Sequence, residues 1–330
     1  MPGAGLDEGM ARTRDARDQF GGRKRIRRTP LAPWGITASL PARMRSFVAR
    51  LAERVLSGQA PIVIGLDPRL DALPANVLPG GSPAQRIVAF YREALPRLAR
   101  HAPCVKPNIA FFECYGSDGY RAYEEVAAMA QQHGLLVLGD VKRGDIGSTA
   151  EAYAEGHFRC NDAVTLHPYL GLDSVQPFLA HCRSERGGKA VFVLVRTSNP
   201  GAKDFQDLQV GGEPLCDVVA RAVTRWGQDL ERSEGYSPVG AVVGATWPQE
   251  LARLRQLLPH AWLLLPGVGA QGGKVQDLAA AFDRRGLGAL VNQSRGVMQC
   301  FQPTATDWLD RIDQAARDFA RDCNAVAKAP

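Results

Sequence analysis

Residues 136–149 read LVLGDVKRGDIGST, an apolar run of strand length that ends abruptly in charged side chains. Asp140 and Lys142 are two residues apart, so they point to the same side if the strand continues through them. Asp145 follows a glycine that permits a sharp turn. An acid, a base and a second acid at the end of a buried strand shift one another's pKa values, as catalytic groups do. A solvated, charged turn is the alternative, and for this motif alone it is the better interpretation.

The rest of the chain alternates short apolar runs with helical patterns. Each run is apolar throughout, which is typical of parallel strands that are buried on both faces. Eight strands are predicted, at 61–66, 104–107, 135–140, 163–166, 190–195, 239–243, 262–265 and 289–291. Helices are predicted at 82–98, 120–132, 148–157, 172–181, 214–230, 247–258, 275–282 and 307–319. Eight such units predict a single-domain α/β fold, the (β/α)8 TIM barrel, rather than a doubly wound open sheet, because no G-x-G-x-x-G follows the first strand.

The formal charge of +6 lies at one end of the chain. Residues 1–45 hold ten Lys/Arg and four Asp/Glu, and the remainder is balanced. Because residues 1–43 are polar, rich in Gly and Arg and aperiodic, we expect a disordered basic extension before a barrel domain at 44–330. A neutral body with a basic arm does not indicate a nucleic-acid-binding domain. Translation from an upstream start codon, with Met44 as the natural first residue, is a plainer explanation of the arm than binding to nucleic acid or a membrane surface.

The sequence also bears on the compartment. No apolar run approaches the ~20 residues needed to span a bilayer, and the N-terminal arginines precede no apolar signal segment. The seven cysteines are scattered and never spaced C-x-x-C. This spacing argues against a zinc site or a disulfide framework and favours reduced thiols in the cytoplasm.

Polar side chains recur where the predicted strands end. In a barrel these residues share the carboxyl-end face, where the active sites of this fold form. Taken singly, each has an ordinary explanation as a turn residue, a surface lysine or a loop residue that hydrogen-bonds locally. Their joint placement on one rim favours a functional site. They are Asp67, Lys106, Asp140, Lys142, His167, Ser198, Gln271 and Arg295.

The loops after the last two strands predict an anion site. The glycine-rich turn at 267–273 follows the seventh strand and contains Gly269, Gly272 and Gly273, and the segment 292–296 follows the eighth strand and carries Arg295. Loops at these positions commonly bind phosphate in this fold, through backbone N–H groups. An arginine adds a bidentate charged contact.

These motifs resemble those of the orotidine 5′-monophosphate decarboxylase family, in particular its longer bacterial branch. The combination of D-x-K-x-x-D-I-G with V-G-A-Q-G-G is specific, and the similar segments occur in order over nearly the whole chain after the basic arm. They are Gly65–Pro68, Val105–Asn108, Asp140–Gly147, Arg196–Gly201, Pro266–Gly273 and Ser294–Gly296.

The resemblance implies decarboxylation of orotidine 5′-monophosphate to uridine 5′-monophosphate, the last step of de novo pyrimidine synthesis, without cofactor or metal. Asp140 and Lys142 would flank the reacting carbon, with Lys142 as the proton donor. Lys106 would lie among these charges and reach the ribose, whose hydroxyls Asp67 would bind.

The remaining roles also follow from the resemblance. Ser198 would contact the pyrimidine, and Gln271 and Arg295 the phosphate. Asp145 and Thr149 would belong to the partner subunit's site, so the enzyme would be a homodimer with shared active sites. The long loop at 196–212 is a candidate lid.

Two alternatives remain. A Mg²⁺-dependent sugar-phosphate decarboxylase of the same superfamily, similar to 3-keto-gulonate 6-phosphate decarboxylase, would have a glutamate at the position of Lys106, and a cation there opposes metal binding. A nucleic-acid-binding protein that acts through the basic arm is the alternative from another class.

Overall fold

The computed structural model describes residues 45–269 and 272–328 of the chain. Eight parallel strands close into a barrel, in which each strand pairs with its neighbours in sequence. The last strand pairs with the first, with Ile62 opposite Val291, and this completes the ring. The strands are β1 (Ile62–Leu66), β2 (Cys104–Pro107), β3 (Leu136–Arg143), β4 (Ala163–Leu166), β5 (Ala190–Arg196), β6 (Ser237–Val243), β7 (Ala261–Leu265) and β8 (Ala289–Gln293).

Helices connect the strands and cover the outside of the barrel. They are α1 (Phe47–Leu56), α2 (Pro83–Leu98), α3 (Ala110–Glu113), α4 (Gly116–Gln132), α5 (Gly147–Phe158), α6 (Leu172–Cys182), α7 (Leu215–Trp226), α8 (Pro248–Leu257), α9 (Arg295–Met298) and α10 (Trp308–Ala327). Short 3₁₀ helices lie at Leu70–Ala72, Ser184–Arg186, Pro200–Asp204 and Val275–Ala281, and Gln209–Val210 pairs antiparallel with Glu213–Pro214.

The inward-facing side chains change character along the strands. Near the amino ends they are apolar and form one buried cluster, which includes Val63, Cys104, Leu138, Ala163, Phe192, Trp262 and Leu290. Because side chains alternate along a strand, the next inward position lies two residues further on. On four strands this next position is polar and buried: Lys106, Asp140, Thr165 and Asn292. The strands therefore build an apolar floor and a polar rim at the carboxyl end.

Helix α1 closes the amino-terminal end of the barrel. Its apolar face, which includes Phe47 and Leu51, packs into the cluster formed by the inward-facing residues of the floor. Arg50 donates to the carboxylate of Asp162 at 2.7 Å, just before β4, and Arg54 donates to the carbonyl of Pro103 at 2.6 Å, just before β2. Helix α1 therefore covers the amino-terminal end of the barrel, opposite the polar rim.

The predicted (β/α)8 barrel is confirmed, and the open doubly wound sheet is excluded by closure. Ser82 caps α2 in a reciprocal capping box with Gln85. The predicted helix at 275–282 is wrong in type, since Val275–Ala281 is 3₁₀. Other elements differ in length: β3 continues three residues beyond Asp140, α4 starts at Gly116, and the last helix extends to Ala327.

The loop at 196–212 contains regular structure, namely the 3₁₀ helix Pro200–Asp204 and the strand Gln209–Val210 of the antiparallel pair. The predicted disordered extension at 1–43 and its boundary with the barrel domain lie outside the described residues. None of the helices in the described ranges has the length and apolar character that a membrane span requires.

Candidate active site

The site begins with an irregularity in β3. Between its pairs with Val164 and Leu166 of β4, strand β3 advances four residues, from Gly139 to Arg143, while β4 advances two. The backbone N–H groups of Val141 and Lys142 both donate to Thr165 Oγ1, at 3.0 and 2.9 Å. Lys142 has a φ of +45°, a left-handed conformation that costs a non-glycine residue about 1–2 kcal/mol. Asp140 and Lys142 do face each other, but through a bulge rather than through regular alternation.

Asp140 lies between two ammonium groups. Lys106 Nζ donates to Asp140 Oδ2 at 2.6 Å, and Lys142 Nζ donates to Oδ1. The hydroxyl of Thr165, whose oxygen accepts the bulge N–H groups, donates to the same Oδ1 at 3.1 Å. Lys106 and Asp140 are buried, whereas the side chain of Lys142 is 44% exposed. Of the two lysines, Lys142 is therefore the one that a ligand at the barrel mouth can reach.

The charges hold one another ionised. Burial alone would raise the pKa of Asp140, but Lys106 and Lys142 together outweigh it and hold that pKa well below its usual range. Burial alone would lower the pKa of Lys106, and the carboxylates of Asp140 and Asp67 outweigh it, so that pKa is raised. The carboxylate of Asp140 and the ammonium of Lys106 therefore remain charged at neutral pH.

Asp67 joins this group from the end of β1. Its negative charge contributes to the raised pKa of Lys106. Leu66, the residue before Asp67, pairs in register with Pro107, the residue after Lys106, so the two strand ends are adjacent. The Oδ1 of Asp67 is buried and has no hydrogen-bond partner among the residues that the structure describes. Asp67, Lys106, Asp140 and Lys142 thus alternate in sign along the rim. Burying a carboxylate oxygen without a partner is costly, so this atom is available to a donor on a ligand.

The glycine-rich turn after β7 is held by its own backbone. Gly269 N–H donates to Gly273 O at 2.9 Å, and Gly273 N–H donates to Gly267 O at 3.0 Å. Gly269 and Gly272 have φ values of +76° and +93°, which favour glycine. Gln271 lies outside the described residues, so its predicted role stays a prediction.

The loop after β8 packs against both the turn and the charged row. A Cβ added to Gly269 would lie 3.0 Å from Gln293 Nε2, so the turn lies close against the end of β8. A Cβ on Gly65, which pairs in register with Lys106, would lie 2.7 Å from Ser294 Cβ. Arg295, next to Ser294, is exposed and forms no ion pair with any residue in the described ranges. The candidate phosphate loops therefore share one rim with the charged residues.

Ser198 lies half-buried in the loop after β5, and its backbone packs against Gly244 after β6. The base of this loop is anchored by Arg196, whose buried guanidinium lies 2.6 Å from Asp207 of the loop and 2.9 Å from Glu250 of α8. Trp247 Nε1 also donates to Thr197 O at 3.2 Å. Ser198 is thus held at the same end of the barrel as the charged row.

Asp145 and Thr149 are the predicted site residues that the single chain does not bring into the charged row. Asp145 Oδ1 accepts from the N–H of Ile146 at 2.8 Å, and Thr149 is exposed on α5. Within the described ranges, neither side chain forms a hydrogen bond or an ion pair with Lys106, Asp140 or Lys142.

The sequence did not predict Thr165 as a site residue, and it placed Asn292 only within the segment 292–296 of the anion site. Thr165 organises the bulge, and the signal for it is its position two residues after inward-facing Ala163. Asn292 is buried at the rim with an unpartnered Oδ1. His167, predicted at the rim, donates its backbone N–H to Arg143 O at 2.9 Å, next to Lys142. Burial and the charge of Lys142 lower the pKa of His167. The part of the chain that the structure describes contains no group of three or more His, Cys, Asp or Glu that could hold a metal ion.

A family described as "Orotidine 5'-phosphate decarboxylase / HUMPS family" matches residues 61–306. The chain belongs to this family. The resemblance that the motifs predicted is therefore confirmed at the level of the decarboxylase family, and the assignment to its longer bacterial branch stays a prediction.

Relatives in this family are similar over most of their own length. A protein of Rhodopirellula baltica named orotidine 5'-phosphate decarboxylase is 43% identical over 270 residues, which cover 77% of this chain and 89% of the relative. A protein of Deinococcus radiodurans with the same name is 45% identical over 260 residues, which cover 76% of this chain and 89% of the relative. The structure of Leishmania donovani OMP decarboxylase is 34% identical with a TM-score of 0.70, covering 87% of this chain and 100% of that one.

Proposed function

We propose that this chain decarboxylates orotidine 5′-monophosphate to uridine 5′-monophosphate without a cofactor, with Lys142 protonating C6. One observation carries the proposal: in a chain of the decarboxylase family, four side chains of alternating charge form a row at the open end of the barrel. Named relatives that share up to 45% identity over most of their length support the choice of substrate.

The reaction suits a site built from fixed charges. When the bond between C6 and the carboxylate breaks, its electron pair stays on C6 as a carbanion, and no cofactor takes up the charge. Lys142 is a cation held in place by Asp140 and open to the barrel mouth, so it stabilises the developing charge and then donates its proton to C6. Asp140 stays ionised because two lysines flank it, and it would lie next to the departing carboxylate.

The other rim residues would bind the rest of the nucleotide. The unpartnered Oδ1 of Asp67 would accept from the ribose hydroxyls, and Lys106 would contact the ribose from the other side. Ser198 would contact the pyrimidine. The phosphate would lie against the turn of Gly269, Gly272 and Gly273, with Arg295 and Gln271 as its side-chain donors. Contacts this far from C6 would supply binding energy for closure of the loop at 196–212.

A homodimer would complete the site. Asp145 and Thr149 stand apart from the charged row, and the segments that follow β3 and β4, up to the first residue of α6, expose large apolar side chains: Ile146, Tyr169, Leu170 and Leu172. Tyr169 is 85% exposed, and large apolar side chains exposed after two adjacent strands indicate an interaction site. A second copy covering it would carry Asp145 and Thr149 into the partner's active site. The enzyme would then serve pyrimidine synthesis in the cytoplasm as a dimer.

The metal-dependent sugar-phosphate decarboxylase is the second candidate, because the family description includes more than one activity. Lys106 argues against it: the residue is buried, charged and paired with Asp140, so it places a cation where that reaction would require a metal-binding acid. The nucleic-acid alternative depends on residues 1–43, which lie outside the described residues, and removal of those residues would leave decarboxylase activity intact.

The test is the loss of orotidine 5′-monophosphate absorbance with purified protein, with and without EDTA. We expect turnover that EDTA does not change. Activity that EDTA abolishes and Mg²⁺ restores would favour the second candidate, and the absence of turnover in both conditions would refute the proposal.

The shared site has its own test. Inactive Asp67→Asn and inactive Asp145→Asn subunits, when mixed, should regain part of the activity through one intact site per mixed dimer. No recovery in mixed dimers confirmed by native mass spectrometry would contradict the sharing.

A further inference from the structure

Arg143, the residue after Lys142, uses its whole guanidinium group to hold the end of β3. Its Nη1 donates to the carbonyl of Val141 at 2.9 Å, within the bulge. Its Nη2 contacts Glu113 Oε1 of α3 at 2.6 Å, and its Nε donates to His157 Nε2 of α5 at 3.1 Å. The Arg143 side chain therefore joins the bulge to helix α3 and to helix α5.

The environment of Arg143 supports this geometry. Its guanidinium lies over the ring of Tyr153, 5.4 Å from the centroid, and that ring stacks on His157. Burial and the charge of Arg143 lower the pKa of His157 to about 4, so at neutral pH the imidazole is uncharged and can accept from Nε. Each hydrogen-bonding edge of the guanidinium thus has a partner, and its face has an aromatic contact.

The bulge needs such support. A non-glycine residue in the left-handed region persists only where its surroundings impose that conformation. Thr165 accepts the two N–H groups of the bulge on the inner side, and Arg143 takes the Val141 carbonyl from the other. Lys142 lies between these two anchors, and its positive φ is what turns its side chain back to Asp140.

The geometry points to Arg143 as a positioning residue for Lys142: its forked contacts to Val141, Glu113 and His157 keep the bulge in the conformation that sets the Lys142 ammonium against Asp140. The expected effect on kcat rests on the proposed function, whereas the expected effect on the conformation of the bulge does not. Only a guanidinium can make all these contacts at once, since an ammonium lacks the planar fork.

The test compares wild type with Arg143→Ala and Arg143→Lys in the full chain. For both variants we expect kcat to fall about 10- to 100-fold, while KM and the Kd for uridine 5′-monophosphate stay within about 3-fold, because the ribose and phosphate contacts do not involve Arg143. The matched control is Arg121→Ala, which removes an arginine on α4 paired only with exposed Asp118 and should keep wild-type kinetics.

A crystal structure of Arg143→Lys supplies the readout that is independent of activity. We expect Lys142 to leave the left-handed region and its Nζ to lose contact with Asp140. If the bulge is unchanged, or if Arg143→Lys recovers full kcat, the positioning role is overturned. Equal losses in kcat and nucleotide binding, together with a collapsed melting temperature, would overturn it in favour of a general structural role. An inactive wild type would refute the proposed function alone, because the structural comparison would still decide the role of Arg143.

Discussion

The barrel interior has two halves that share the same strands and differ in composition. The floor is formed by apolar side chains such as Leu138 and Leu290, and α1 seals it from below. Two residues further along the same strands, the inward positions are Asp140 and Asn292. Both halves are built from the same strands. The change from apolar to polar side chains, together with the bulge in β3, separates the half that stabilises the fold from the half that can do chemistry.

The difference has an energetic side. The floor gains free energy from every buried apolar side chain, at roughly 25 cal/mol per Å². The rim instead buries charges whose desolvation cost can exceed their mutual attraction, and it keeps Lys142 in a strained conformation. We infer that the floor stabilises the fold strongly enough to carry a rim that is organised for function.

The largest effect on activity should come from Lys142, a rim residue whose side chain is partly exposed. Lys142→Ala removes a cation whose side chain is 44% exposed, so the fold should be unaffected. Because the residue is both proton donor and counter-charge in the proposed mechanism, turnover should fall by about 10⁴-fold or more while uridine 5′-monophosphate still binds. Steady-state kinetics and calorimetry measure both quantities, with exposed Lys328→Ala as the control. Turnover within 10-fold of wild type would contradict the role.

Much of the division between apolar floor and polar rim could be predicted from the sequence. Both faces of each strand are buried, so the strands stand out as uninterrupted apolar runs. The rim residues were also predictable, since they follow directly on those runs. The left-handed turn at Lys142 was not, because it depends on Thr165 in the neighbouring strand and on contacts of Arg143 with two helices. The 3₁₀ helix at Val275–Ala281 was missed for a similar reason: its sequence suits either helix type.

The second prediction separates stability from function within the rim. Asp140→Asn removes the carboxylate to which the buried ammonium of Lys106 donates and leaves Asp67 as the remaining nearby anion. This should cost up to roughly 3–5 kcal/mol of unfolding free energy in addition to most of the activity. The double variant Lys106→Met/Asp140→Asn removes both buried charges, and we expect it to regain most of that stability and none of the turnover. Urea unfolding and kinetics test this pair, and a double variant no more stable than the single one would refute the argument.

The third prediction concerns the floor, where a substitution should lower stability and leave activity nearly unchanged. Leu138 is fully buried two residues before Asp140, and Leu138→Ala should cost about 2–5 kcal/mol through lost burial and the remaining cavity. Below the unfolding transition, kcat should stay within about 3-fold of wild type, because the charged row is unchanged. A stable variant with strongly reduced kcat would show that the two halves are not separable.

The smallest effect concerns the support of the rim from outside the barrel. Burial and the neighbouring Arg143 lower the pKa of His157 from 6.5 to about 4, so the unfolded state binds a proton that the folded state does not. This neutral imidazole therefore stabilises the fold above pH 6.5, and that contribution, roughly 3 kcal/mol at most, is lost as the pH falls from 6.5 toward 4. His157→Gln keeps an acceptor for Arg143 and removes the titration, so its unfolding free energy should fall less steeply than wild type over this range. Urea unfolding at half-unit pH steps measures the unfolding free energy of both proteins. Parallel curves would show that the pKa of His157 does not change on unfolding and that its role in holding Arg143 does not depend on its neutral form.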